Sequence, residues 1–270
     1  MVELAADLTR RADVLAEVAV ALSSETPEAV QPWTVVHLAA LSFVGHADEL
    51  AFYNVNVLGT LNLLAAIEAQ HAQVTCVLVA SSANVYGNCQ HSPIGESQLP
   101  APVNHYATSK LAMEHMARTY AGRLPLILTR PFNYTGPGQA PQFLIPKLVD
   151  HFKRGASVVE LGNVHVEREY NDVDFVCNSY LHLLEHGERQ ELYNICTGIT
   201  YTLDDVISHL RRLTGHDIEV RVNPAFVRAN EIQRLCGDPA QLREVWRRAG
   251  AEWPEASALD ATLARMLAKA

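Results

Sequence analysis

The chain has 270 residues, of which 49% are apolar and 19% charged, and its net charge is −9. This is enough for one large domain or two small ones with a sizeable core, and the acidic balance argues against a sequence-independent nucleic-acid binder. Five scattered cysteines without a CxxC pair and twelve histidines without ligand spacing point to neither a disulfide framework nor a metal site.

No apolar run reaches the roughly 18 residues of a membrane span. The opening MVELAADLTRR does not have the form of a signal peptide. The expectation is a chain of the reducing cytoplasm with no metal, membrane or nucleic-acid partner.

In chain order, residues 7–22 predict a helix with Asp7 as its N-cap. WTVVHLAA (33–40) predicts a short apolar strand, 47–70 a long helix, and VTCVLVASS (74–82) a second strand. HYATSKLAMEHMARTYA (105–121) has helical periodicity, and LPLILTRPFN (124–133) predicts a third strand. Strands apolar on both faces, alternating with helices, predict an α/β fold with a Rossmann-type doubly wound parallel sheet.

Beyond residue 134 the pattern loosens. TGPGQAP (135–141) predicts a loop, 142–154 a helix, 157–161 a strand, and 171–187 a helix closed by a glycine. ELYNICTG (191–198) predicts a strand, 202–215 a capped helix, and 218–224 a last strand. Helices follow at 238–250 and 255–269. Residues 1–134 are expected to form one domain, and 135–270 a smaller α/β region partly interleaved with it.

A doubly wound nucleotide-binding domain ordinarily opens with a strand, a glycine-rich turn and a helix that holds the pyrophosphate. Neither G-x-G-x-x-G nor G-x-x-G-x-x-G occurs before residue 60, and Gly45 and Gly59 stand alone. The expected sheet therefore lacks its usual first strand, which leaves an apolar edge unpaired.

The chemistry-bearing pattern is Tyr106 and Lys110 in YATSK. Residues four apart share a helix face, so phenol and ammonium point into one site. A nearby cation favours phenolate and predicts a lowered tyrosine pKa. Ser82 at the preceding strand end, with Ser81 as its alternative, supplies a hydroxyl to polarise the same oxygen. An acid/base, a cation and a hydrogen-bond donor together suit hydride transfer at a C–OH/C=O centre. Y-x-x-x-K alone is weak, and its plain alternative is a surface Tyr and Lys. A strand ending in SS, a loop, the YxxxK helix and a strand ending in RPFN carry more weight together.

VVHLAALSFV, NVNVLGTLNLL, VASSANVYG, HYATSK, RPFNYTGPGQ and REYNDVDFV, in that order, resemble the extended short-chain dehydrogenase/reductases that act on nucleotide sugars. Within the family, GNVHVEREYNDVDFV, LYNICTG and VRANEIQRLCGDP are similar to members that reduce GDP-linked 4-keto-6-deoxy sugars. The resemblance covers almost the whole chain. It implies Ser82, Tyr106 and Lys110 as catalytic residues and NADP or NAD as cofactor. It implies that Ala39, Ala40, Asn56, Ser81, Tyr106, Lys110, Pro131 and Phe132 border that cofactor. Ser82, Asn133 and Lys147 would contact the sugar nucleotide, Arg168 and Arg228 its diphosphate, and Glu231 the nucleoside ribose. The sugar-nucleotide region would be 135–270. The family's dimers imply a homodimer or higher oligomer through the 47–70 and 105–121 helices.

The family's 4,6-dehydratases place a glutamate base two residues after the strand-end hydroxyl. Here that position is Asn84, and an amide cannot serve as this base. Reduction or 4-epimerisation of the UDP-glucose type remains. A non-catalytic sugar-nucleotide binder is the third reading, because the glycine motif is missing. Several residues also have plainer readings. Asn133 could cap a turn, Arg168 could belong to a solvated charge run, and Arg228 with Glu231 could be a surface pair. His37, inside an apolar strand, reads as a satisfied core histidine.

Overall fold

The computed structural model describes residues 2–3, 5–22, 32–70, 74–227, 231–254 and 259–268. Its first sheet consists of β1 (Trp33–His37), β2 (Val74–Ala80) and β3 (Leu126–Pro131), joined by a later strand, β8 (Leu192–Ile195). All pairs are parallel and the order is β1-β2-β3-β8. Alternate side chains face opposite layers. Val77, Val79, Leu126 and Leu128 pack under α1 (Arg11–Leu22), α3 (Thr60–Ala69) and α4 (His105–Arg118). Cys76, Leu78 and Ile127 pack under α6 (Val173–His186) and α8 (Ala240–Arg248). The doubly wound expectation is met. Among the described residues no strand pairs with the outer edge of β1, where Val36 is 41% and Leu38 56% exposed.

The expected 47–70 helix is continuous but not uniform. It comprises α2 (Glu49–Phe52), a π-helical segment Tyr53–Gly59, and α3. Asp48 caps it, its side chain accepting from the amides of Leu50 and Ala51. By length and composition Glu49–Ala69 could cross a membrane, but half of it is buried in the fold, as in a core helix. Asp7 does not cap α1. Its carboxylate accepts from the amide and hydroxyl of Thr9, ahead of a helix that starts at Arg11.

The second half builds a separate core from α5 (Leu144–Lys153), α7 (Leu203–Thr214) and α9 (Leu259–Ala268) over the parallel pair β5 (Val158–Leu161) and β10 (Glu219–Val222). α7 carries a capping box, Thr202 with Asp205, and ends at Gly215 in the left-handed region. Short two-residue strands complete the architecture. β4 (Tyr134–Thr135) pairs with β7 (Asn171–Asp172), and β6 (Glu167–Arg168) lies between β11 (Arg234–Leu235) and β9 (Tyr201–Thr202). The expected helix at 255–269 is described from Leu259 to Ala268.

Candidate active site at the carboxyl ends of the first sheet

β2 stops at Ala80, two residues earlier than expected, because Ser82 becomes the N-cap of a short 3-10 turn, Ala83–Tyr86. Its Oγ accepts from the Asn84 amide at 3.2 Å. That bond directs the hydroxyl and leaves its proton to donate elsewhere. Gly87 closes the turn at φ 64°, where an added Cβ would lie 1.9 Å from the Ala101 carbonyl oxygen. Only glycine fits both constraints.

α4 begins at His105, capped by Asn104, whose Oδ1 accepts from the Ala107 amide at 2.9 Å. Tyr106 and Lys110 lie one turn apart and are 8% and 3% exposed. The Ser82 hydroxyl stands close enough to the Tyr106 phenol to act on its titration, and Lys110 Nζ donates to the Ala80 carbonyl at 2.8 Å. The three expected catalytic residues thus converge on the end of β2.

The expected pKa shift of the tyrosine is corrected. Burial pushes the Tyr106 phenol up to about 12, and the Ser82 hydroxyl opposes that only in part. Burial also pushes the Lys110 ammonium down to about 8, with Glu114 opposing. Desolvation outweighs the attraction expected between the pair, since both charged forms lose water here. The structure therefore holds a protonated phenol, which can donate a proton.

Behind these residues lies a polar network that spacing alone does not reveal. Asn56, fully buried in the π segment, accepts from the Leu41 amide at 2.9 Å and donates to its carbonyl at 3.1 Å. It also donates to Ser109 Oγ at 3.0 Å, and Ser109 donates to the Tyr106 carbonyl at 2.8 Å. Asn56 thus ties the loop after β1, with Ala39 and Ala40, to the first turn of α4. Thr60 Oγ1 donates to the Asn56 carbonyl and sits 2.8 Å from His37 Nε2. His37 is a satisfied core histidine whose pKa burial lowers to about 4, with a smaller push from Lys110. Sequence reasoning misses Ser109 and Thr60; their only local signal is placement three and four residues from Tyr106 and Asn56.

Ser81 Oγ is buried without a hydrogen-bond partner among the described residues. An orphaned hydroxyl at a strand end beside Tyr106 and Lys110 fits the polar end of a nicotinamide nucleotide. Phe132 is core: 1% exposed and 6.3 Å from the Tyr86 ring. Pro131 ends β3. Asn133 is exposed, and its carbonyl accepts from the Asn171 amide at 3.0 Å. Beside it, Arg130 forms a buried bidentate pair with Glu114 at 2.9 and 2.6 Å. Its guanidinium lies 4.6 Å from the Tyr86 ring centroid.

The residues assigned to the sugar nucleotide are spread more widely. Lys147 Nζ donates to the Glu160 carbonyl at 2.6 Å and lies 4.9 Å from the Phe226 ring centroid. Arg168 is 7% exposed, so it is no part of a solvated charge run. Its Nη2 donates to Glu231 Oε1 at 2.8 Å. Arg228, and with it the pairing considered with Glu231, lies outside the described residues.

Residues 22–249 match the family model described as GDP-mannose 4,6 dehydratase. The chain is 38% identical to the GDP-6-deoxy-D-talose 4-dehydrogenase of Aggregatibacter actinomycetemcomitans, over 81% of this chain and 74% of that one. It is 35% identical to the GDP-6-deoxy-D-mannose reductase of Pseudomonas aeruginosa, over 79% of this chain and 73% of that one. Among solved structures, RMD from Pseudomonas aeruginosa complexed with NADPH superposes with a TM-score of 0.83 at 31% identity, covering 98% of this chain and 88% of the other. With a parallel sheet, a Ser–Tyr–Lys cluster at its carboxyl edge and these matches, the chain belongs to the GDP-mannose 4,6-dehydratase family, in the nucleotide-sugar branch of the extended short-chain dehydrogenase/reductases.

Proposed function

We propose that this protein reduces the C4 keto group of a GDP-linked 4-keto-6-deoxy hexose, using NADPH or NADH. The observation that carries the reading is the convergence of Ser82, Tyr106 and Lys110, with an amide, Asn84, where a dehydratase needs a carboxylate. The names of the two relatives above support GDP as the carrier and C4 as the reacting carbon.

When bound, the nicotinamide supplies the hydride. Ser82 donates a hydrogen bond to the keto oxygen, and Tyr106 passes its phenolic proton to that oxygen as negative charge develops. A phenol raised to about 12 is protonated at neutral pH, as reduction requires. Lys110, 2.8 Å from the Ala80 carbonyl, sets the field at Tyr106 and offers its ammonium to the nicotinamide ribose. Ser81 meets the same end of the cofactor, bordered by Ala39, Ala40 and Pro131. Asn133 and Lys147 line the sugar-nucleotide side, Arg228 takes the diphosphate, and Glu231 takes the nucleoside ribose. The helical face bearing Leu50 (70% exposed) and Leu58 (49% exposed) pairs with a second copy.

Incubation with NADPH and GDP-4-keto-6-deoxymannose is expected to consume NADPH. The product's C4 configuration distinguishes the 6-deoxy-mannose from the 6-deoxy-talose outcome. UDP-glucose is expected to be inert. Its conversion to the C4 epimer without net cofactor use would overturn the reading in favour of an epimerase, and failure to consume either NADPH or NADH with the GDP-linked keto sugar would exclude the reductase.

A further inference from the structure

α4 sets three ionisable side chains along one buried stripe: Tyr106, Lys110 and, a turn further on, Glu114. Lys110 and Glu114 are 3% and 2% exposed. Opposite charges four residues apart on a helix ordinarily pair. Here Arg130 takes both oxygens of the Glu114 carboxylate instead, Nε to Oε1 at 2.9 Å and Nη2 to Oε2 at 2.6 Å. Among the described residues, Lys110 Nζ has the Ala80 carbonyl as its acceptor, at 2.8 Å.

The guanidinium is itself held in place. Arg130 follows Thr129, the register partner of Ala80 in the β2–β3 pair. The strand that supplies the acceptor of Lys110 therefore lies beside the strand that supplies the partner of Glu114. On its other side the guanidinium meets the Tyr86 ring, 4.6 Å from its centroid. Tyr86 in turn donates to Asn194 Oδ1 at 2.8 Å, and both of those residues are fully buried. The titratable groups around this part of α4 are Tyr106 and Glu114 on the helix, Arg130 on β3, Tyr86 after β2 and His37 on β1. An ammonium has three N–H donors, so two remain once Ala80 is served.

We propose that Arg130 is a positioning residue for Lys110: by holding both Glu114 oxygens it keeps the carboxylate from drawing the ammonium along α4, so that Lys110 stays on the Ala80 carbonyl with two N–H groups to spare. Glu114 then acts on Lys110 through its field alone, which favours the ammonium against burial. Stability is a weak reason for such a pair, since desolvation offsets most of the attraction between buried charges. The use of the spare N–H groups on the nicotinamide ribose rests on the function proposed above; the placement of Lys110 rests on the bonds just given.

Two measurements test it. The first needs no ligand. In protein labelled with carbon-13 at lysine Cε, the Lys110 signal is identified by its loss in Lys110→Met, and its titration midpoint is expected at about 8. Glu114→Gln is expected to lower that midpoint by about one pH unit, and Arg130→Met to raise it by about as much, as Glu114 turns to the ammonium. The double variant Arg130→Met/Glu114→Leu removes the carboxylate as well and should abolish the rise. If Arg130→Met does not fold, Arg130→Lys, which keeps a charge but gives up the paired bonds, is read in its place. Looser packing alone would admit water and move the midpoint up in every variant. That result, or no shift in Glu114→Gln, would overturn the proposal.

Titration calorimetry with NADPH and with GDP then reads the consequence. Arg130→Met is expected to weaken NADPH about tenfold, the loss of one or two hydrogen bonds, with GDP affinity unchanged. Unaltered NADPH affinity, or an equal loss for both ligands, would remove the positioning role. If the unaltered chain binds no NADPH, the reductase reading fails and the titration of Lys110 decides its placement alone.

Discussion

The two ends of the site are built by different means. At the end proposed to react, the side chains come from one strand end and one helix turn, with Tyr106 and Lys110 four residues apart and Ser82 just past the strand that gives Lys110 its acceptor. At the end proposed to hold the nucleotide, Arg168 and Glu231 are 63 residues apart and meet through two-residue strands and a loop. A helix brings two groups together at little entropic cost, because its own hydrogen bonds have already fixed the geometry. A loop site must be tied down by added bonds, and burying their charges costs desolvation that only good geometry repays. The reacting end is thus stiff by construction and the nucleotide end stiff by attachment.

The contrast predicts where substitutions act. The largest effect is expected from Tyr106→Phe, which should lower turnover by about 10²–10⁴-fold in an NADPH-oxidation assay while leaving the melting temperature unchanged. A large drop in thermal stability would instead make Tyr106 a core residue first.

Next in size is Arg130→Met, which strands the buried Glu114 carboxylate behind α4. Denaturant titration should show a loss of about 3–5 kcal/mol. An equal replacement of both partners by apolar residues should recover much of it.

His37, in the first sheet, gives the stability a pH signature. Its pKa is about 4 in the folded protein against an ordinary 6.5, so between those values the unfolded chain binds the extra proton. Its contribution is whole above pH 6.5 and is lost as pH falls through that window, to the extent of about 3 kcal/mol. His37→Asn should flatten this acid limb, and an unaltered slope would remove His37 as its cause.

The smallest effect is at Gly237, where the chain passes close to Cys196 and Phe132. Gly237→Ala would set a Cβ 2.6 Å from Cys196 Sγ and 2.7 Å from Phe132 Cε2. The resulting overpacking should cost about 1–3 kcal/mol, read by thermal melting. No cost would show that the packing around Gly237 yields.

What is legible in the sequence divides along the same line. Apolar runs on both faces, the strand-end serines and the YxxxK spacing are enough to place the sheet and to bring Ser82, Tyr106 and Lys110 to one end of it, because these signals are local. The partnership of Arg168 with Glu231, the clasp of Asn56 on Leu41, and the Arg130–Glu114 pair are not legible, since each joins segments whose proximity exists only after folding. The direction of the Tyr106 pKa is hidden for a related reason: spacing shows which charge stands near a phenol but not how much water burial removes. The π segment at Tyr53–Gly59 leaves no trace in apolar periodicity over so short a stretch.

One strand gives these halves a shared fate. β8 comes from the C-terminal half yet lies against β3, Leu128 to Pro131 matching Leu192 to Ile195. The chain leaves the first sheet after β3, lays down α5 and β5 of the second core, returns to close the first, and only then completes the second with α7, β10 and α9. A polypeptide stopped at residue 134 would present the open side of β3 as an adhesive edge and would be expected to precipitate or capture another copy. A single nick in the intervening loops of the finished molecule would, by contrast, leave two pieces that co-purify. Heat or denaturant should then dismantle both cores in one cooperative step.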